Sequence, residues 1–217
     1  MGQIPLAVEV NDVSKRYGTR WALARLSFAL PRGGSLLLTG SNGSGKTTLL
    51  RTIATAIRPT AGTIRVLGLD TREDRQQVRR RVALLSHTSF LYEDLTAEQN
   101  LRLLGRLIKA DFPSSTIASL LERVGLAHRA KHPVRQFSAG MRKRLAIARL
   151  LLKAPSVALL DEPFGELDPE AVIEMEKTIA ELQSSGTTIV LATHLLEQGL
   201  NLCRERLHLS EGRAVAA

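Results

Sequence analysis

A single cysteine, Cys203, stands among 217 residues, so no intrachain disulfide can form and a reducing compartment fits the chain. No apolar run approaches the length needed to span a bilayer, and the opening MGQIPLAVEVNDV lacks a basic stretch followed by an apolar core. The sequence therefore predicts neither a membrane span nor a secretory leader. Internal repeats and low-complexity tracts are also missing. Acidic residues are scarce relative to basic ones, 21 against 30, and the resulting formal charge of +9 suits a nucleotide, a nucleic acid or an acidic lipid surface, or simply a solvated basic exterior. What is present is ordinary for a folded protein: 44% hydrophobic and 24% charged residues, enough for one good core or two small lobes.

Short Leu-rich or β-branched runs alternate with longer helix-like ones, which predicts an α/β protein built on a largely parallel sheet. LAVEV (6–10), RLSFAL (25–30), SLLLT (35–39), TIRVL (63–67), VALLS (82–86), VALLD (157–161) and TIVLAT (188–193) read as strands. Helices are expected at 46–57, 97–109, 114–124, 139–153 and 169–184. The stretch 96–153 holds no convincing strand, so a helical subdomain, about 88–153, is expected as an insertion within a single domain spanning 1–217. TREDRQQVRRR (71–81) reads as a solvent-facing helix with acidic residues in its first turn, where the helix dipole favours them.

Between SLLLT and the next helix lies GSNGSGKTT, which contains the pattern G-x-x-x-x-G-K-[ST] as Gly40, Gly45, Lys46 and Thr47. Such a loop, Gly40, Ser41, Asn42, Gly43, Ser44, Gly45, turns its N–H groups inward on phosphate oxygens. Lys46 reaches the terminal phosphates, and Thr47 offers its hydroxyl to Mg²⁺. The following helix, entered through Thr47 and Thr48, adds its positive end. A second acidic site belongs with it. In VALLDEPFGELDPE, an apolar strand ends in Asp161, suited to Mg²⁺ beside substrate phosphates, and Glu162 follows at once, placed to polarise water as a general base. TIVLATH carries a third strand to His194.

The order GSNGSGKTT, FSAGM (137–141), VALLDEP, GELD (165–168) and TH (193–194) resembles the nucleotide-binding subunits of ATP-binding cassette transporters, over essentially the whole chain. FSAGM followed by RKRLAIARLLL resembles that family's signature and its helix. The resemblance implies a P-loop core, an antiparallel β subdomain and a helical subdomain, with ATP and Mg²⁺ as ligands. It implies that Tyr17 stacks on adenine, that His194 contacts the γ-phosphate, and that Ser138 and Gly140 face the ATP of a second protomer in a homodimer. It implies polytopic permease subunits as partners, attachment to the cytoplasmic face of the membrane through them, and no direct nucleic-acid contact. Phe137, Ala139 and Met141 depart from the usual signature, and Glu166 intrudes near Asp168.

His87, at the end of LLSH, stands where the family usually has a glutamine leading into the helical subdomain; shifted by one, Thr88 takes that place. On residue chemistry alone the stretch favours a core imidazole over a metal ligand or a sensor, since histidine packs, ligates and titrates with equal ease. The SAG signature and LTAEQNLRLLGRL are similar to the ATP-binding subunits of heme exporters of cytochrome c maturation. Multidrug and polysaccharide exporters share most of these marks. An ATPase acting on nucleic acid or ribosomes, and an ATP-binding switch that hydrolyses little, are the rival readings. HRAKH (128–132) reads as a solvated loop rather than a metal or heme site.

Overall fold

The computed structural model describes residues 5–86 and 90–215. Two long strands, β1 (Leu6–Tyr17) and β2 (Arg20–Pro31), form a hairpin joined by β4 (Ala61–Val66) and β5 (Leu69–Asp70) into an antiparallel sheet of order β2-β1-β4-β5. The second sheet has the order β10-β9-β3-β8-β7-β6, with β3 (Ser35–Thr39), β6 (Val82–Leu85), β7 (Val157–Asp161), β8 (Thr188–Ala192), β9 (Glu205–Ser210) and β10 (Arg213–Val215). Its pairs are parallel except β9 with β10. Strands β3, β7 and β8 are buried at all five positions, as continuous apolar runs should be in a parallel sheet covered on both faces.

The two-residue period divides these strands between two cores. Leu36, Leu38, Leu159 and Val190 pack with the antiparallel sheet and with α1 (Lys46–Ile53). Leu37, Leu160, Ile189 and Leu191 face α6 (Pro169–Ser184) and α7 (Leu196–Leu202) on the other side. A third core lies among α3 (Ala97–Ile108), α4 (Ser114–Arg123) and α5 (Ala139–Lys153). Helix α5 joins layers: Leu145, Ala148 and Leu152 point into the helical core, Ala146, Ile147 and Leu150 into the sheet's. Thr96 and Gln99 form a reciprocal capping box on α3, Ser138 caps α5, and Asp168 caps α6 ahead of Pro169. Among the described residues no helix is long and apolar enough to cross a membrane.

Several expectations need correction. Strand β1 runs on to Tyr17, because the polar tail NDVSKRY pairs with β2 through Val13↔Leu26, Lys15↔Leu23 and Tyr17↔Arg20. Helix α1 stops at Ile53: Thr55 takes a left-handed φ of 60°, and its carbonyl accepts hydrogen bonds from Arg75 and Arg79. The helix expected over 71–81 begins at Arg75 as α2 (Arg75–Arg81), without acidic residues in its first turn, and it is not purely solvent-facing. Val78 is fully buried, and Arg79 reaches the Thr55 hydroxyl. Strands β9 and β10 and helix α7 carry no sequence pattern strong enough to have been read.

Candidate functional site

The site forms where the parallel strands end, at the edge where open α/β sheets place their ligands. Strand β3 leads into the loop at 40–45, β7 ends in Asp161 and Glu162, and β8 leads to His194. A cleft of about 490 Å³ is lined by Tyr17, by Asn42 to Thr48, and by Asp161 and Glu162. Residues read separately from two motifs and a β-hairpin thus share one wall system.

The loop glycines have two different duties. A Cβ on Gly40 would lie 2.2 Å from the Leu209 carbonyl oxygen of β9, and one on Gly45 would lie 2.5 Å from the Ala22 carbonyl oxygen of β2. Both also hold positive φ, 139° and 110°. The loop therefore needs glycine for close backbone approach as well as for its turn. Lys46 begins α1, and its ammonium donates to the Gly40 and Ser41 carbonyl oxygens at 2.7 and 3.1 Å, arching over the loop. Among the described residues the buried Ser44 hydroxyl finds no hydrogen-bond partner. A buried orphan hydroxyl is costly, and an anion held in the loop would satisfy it. That orphan and the lysine above it fit a polyphosphate. A Thr47 hydroxyl and a buried Asp161 carboxylate in the same cleft are the oxygen donors that Mg²⁺ takes alongside phosphate.

Glu162 adopts a left-handed φ of 50°, and its N–H donates to the Ala192 carbonyl oxygen at 2.8 Å. Its Oε2 lies 2.8 Å from His194 Nδ1 and also accepts from the His194 N–H at 3.3 Å. An ionised carboxylate only accepts, so with Glu162 in that form Nδ1 is the donor. Tyr17 is half exposed, with the Lys15 ammonium 5.0 Å from its ring centroid.

Ser138 and Gly140 do not line the cleft; Ser138 accepts from the Met141 N–H at the exposed start of α5. A Cβ on Gly140 would lie 3.1 Å from the Glu166 carbonyl oxygen, so the signature packs on its own chain's 165–168 loop. Arg144 pairs with Asp168 at 2.6 Å, and the Asp168 carboxyl is held below its ordinary range by the Ala171 N–H first and by Arg144 as well. His87 and Thr88 lie outside the described residues.

Two residues, one lining the cleft and one behind it, escaped the sequence reading. Arg20, whose guanidinium would be 3.4 Å from a Cβ on Gly43, sits beside the loop because Arg20 pairs with Tyr17 across the hairpin. Lys143 is buried, and its ammonium donates to the Glu162 carbonyl oxygen at 2.7 Å. RKR looks like a solvated helical face. Only the packing of α5 shows that its middle residue points inward.

The fold, the phosphate loop and the adjacent carboxylates define a nucleotide-hydrolysing cassette. Residues 23–165 match the ABC transporter family, and the chain belongs to that family as an ATP-binding, ATP-hydrolysing transporter subunit. It is 40% identical over 212 residues to daunorubicin resistance ATP-binding protein DrrA3 of Streptomyces coeruleorubidus, covering 97% of this chain and 67% of that one. It is 37% identical over 220 residues to Nod factor export ATP-binding protein I of Ralstonia nicotianae, covering 100% and 68%. The chain thus spans about two thirds of the length of these relatives. Among solved structures, the ATP-binding subunit of an ABC transporter superposes with a TM-score of 0.88 at 30% identity, covering 97% of this chain and 88% of that one. An ATP-binding cassette solved as a dimer in a post-hydrolysis state with ADP and Pi also gives 0.88, at 25% identity, covering 96% and 97%. The expectation of heme export finds no support in these relatives, whose names concern drug resistance and Nod factor.

Proposed function

We propose that this chain powers an exporter of drug-like or Nod-factor-like molecules, hydrolysing ATP at two sites between paired copies. The observation carrying the dimer is the division of the machinery. Lys46, Asp161 and Glu162 meet in one cleft, whereas Ser138 and Gly140 lie outside it with the start of α5 exposed. A helix N-terminus capped by a serine is a ready anion site, and in this reading it serves the nucleotide of the second copy. The dimeric cassette of similar fold supports the same arrangement. The cargo reading rests on the relatives' names and replaces heme with the multidrug alternative.

In each site Tyr17 stacks on the base, and the 40–45 loop with Lys46, Thr47 and Thr48 holds the phosphates. Thr47 and Asp161 hold Mg²⁺, which when bound neutralises charge on the phosphate oxygens. Glu162 accepts a proton from the attacking water, and His194 orients that carboxylate and reaches the γ-phosphate.

The partner is a permease that holds the chain at the cytoplasmic membrane face. Its docking surface is a groove of about 640 Å³ between β6, α2 and the helices α3 and α5. Leu84, Leu107, Ile108 and Phe90 give it apolar walls. Among the described residues five cations, Arg79, Arg80, Lys109, Arg149 and Lys153, line it and no carboxylate does. A short helix with an apolar face and acidic residues complements that surface.

Replacing Glu162 with Gln tests the dimer. Glu162→Gln is expected to bind Mg-ATP, to lose hydrolysis by about 100-fold or more, and to elute as a dimer in size-exclusion chromatography only when Mg-ATP is present. A variant that stays monomeric at saturating Mg-ATP and hydrolyses at the wild-type rate would sink the two-site reading.

A further inference from the structure

We infer that Lys143 is a positioning residue for hydrolysis: from the first turns of α5 its ammonium fixes the peptide carrying the Glu162 carboxylate. This rests on the reading that Glu162 is the general base.

Lys143 is only 5% exposed, and its ammonium donates to the Glu162 carbonyl oxygen at 2.7 Å. A lysine almost never takes a position this buried without a partner, since desolvating an ammonium is expensive. A leucine or methionine would fill the same space without that cost. Burial pulls the Lys143 pKa below its ordinary value, and the nearby carboxylates Glu166, Asp161 and Glu162 oppose that pull. The cation therefore sits where Glu166 and the acidic end of β7 together offset its burial.

The peptide it holds needs holding. Glu162 is a non-glycine residue at φ 50°, a left-handed conformation that side chains with a Cβ rarely adopt. Strain of that kind persists only when the surroundings over-determine it. Here the Glu162 N–H is fixed by Ala192, and its carbonyl oxygen accepts from Lys143 and, at 3.3 Å, from the Gly165 N–H. With the backbone clamped on both sides, the side chain leaves toward the cleft and meets His194. Loss of the Lys143 bond frees the one end that is otherwise tied only by a long contact. Because α5 also begins with Ser138 and Gly140, Lys143 ties the base to the helix whose start faces the second copy's nucleotide.

The test uses the full chain with Lys143→Met, Lys143→Arg, Glu162→Gln and the Lys143→Met/Glu162→Gln double variant. Mg-ATP hydrolysis, affinity for a trinitrophenyl ATP analogue and melting temperature are measured for each. Lys143→Met is expected to bind the analogue within about twofold of wild type while kcat falls by up to about 100-fold, the scale of a misplaced catalytic group. Lys143→Arg, which keeps a charged donor, is expected to recover most of that loss. In the Glu162→Gln background, Lys143→Met should subtract little more from the residual rate, since the two act as one unit. A Lys143→Met variant with wild-type kcat beside an inactive Glu162→Gln overturns the inference and leaves the base reading standing. An equal loss in both backgrounds, or kcat and affinity falling together with melting temperature in both Met and Arg variants, makes Lys143 a packing residue and also overturns it. Full hydrolysis by Glu162→Gln removes the base reading and this inference with it.

Discussion

Gly40 shows how one position can answer to two neighbours. The phosphate-loop pattern calls for glycine there, and strand β9 independently leaves no room for a Cβ. Gly43 has a positive φ of 80° but only the mobile tip of Arg20 nearby, at 3.4 Å. Gly40→Ala is therefore expected to destabilise the fold by more than about 1 kcal/mol and to weaken binding of the ATP analogue, with Gly43→Ala milder on melting temperature. Equal melting temperatures for the two variants would show that β9 can yield. The residue types at this site were legible in the sequence, since Lys46, Thr47, Asp161 and Glu162 carry their chemistry in their spacing. The partners were not: Ser44's unpaired hydroxyl, the Lys143 bond and the Glu162–His194 pair depend on atoms distant in sequence.

At the scale of elements, the 90–95 loop is a firm ledge on the groove. Asn100 is buried, receives the Tyr92 N–H and donates to the carbonyl oxygens of Tyr92, Leu95 and Thr96; Arg149 donates to the Phe90 carbonyl oxygen. Yet the side chains of Phe90 and Tyr92 are half exposed. Apolar rings held outward on a pinned loop, beside a cationic groove, favour a docked partner over internal packing. Reversing charge with Arg80→Glu or Lys109→Glu is expected to lower permease-stimulated hydrolysis about tenfold in reconstituted vesicles, while hydrolysis by the isolated chain is retained. Unchanged stimulation in both variants would remove the acidic-helix reading of the groove.

For the whole molecule, burying one of its many cations works against stability. Burial, with Arg149 and Arg79 adding to it, lowers the Lys153 pKa to about 8, although its ammonium donates to the Arg79 and Val82 carbonyl oxygens. A lysine whose folded pKa lies below its unfolded one binds its proton more weakly in the folded state. Its penalty on stability is full below about pH 8 and fades as pH rises toward 10.5. A shift of this size corresponds to about 3 kcal/mol. Wild-type stability measured by denaturant unfolding is expected to gain a component between pH 8 and 10.5 that Lys153→Met lacks. Parallel curves for the two proteins would mean that the ammonium is solvated.

The sequence by itself determined the parallel core, the helical insertion and the phosphate loop. Apolar runs buried on both faces, helix caps and a glycine-lysine turn are local patterns whose physics acts within a few residues. Tertiary structure decided the rest. The polar tail of β1 becomes a strand because β2 supplies its hydrogen bonds, and ERLHLS becomes β9 because β3 offers an open edge. Lys143 turns inward because α5 must fill two cores at once, leaving one face of RKR against the end of β7. Pairing and burial are properties of two distant segments together, and no single stretch of chain carries them.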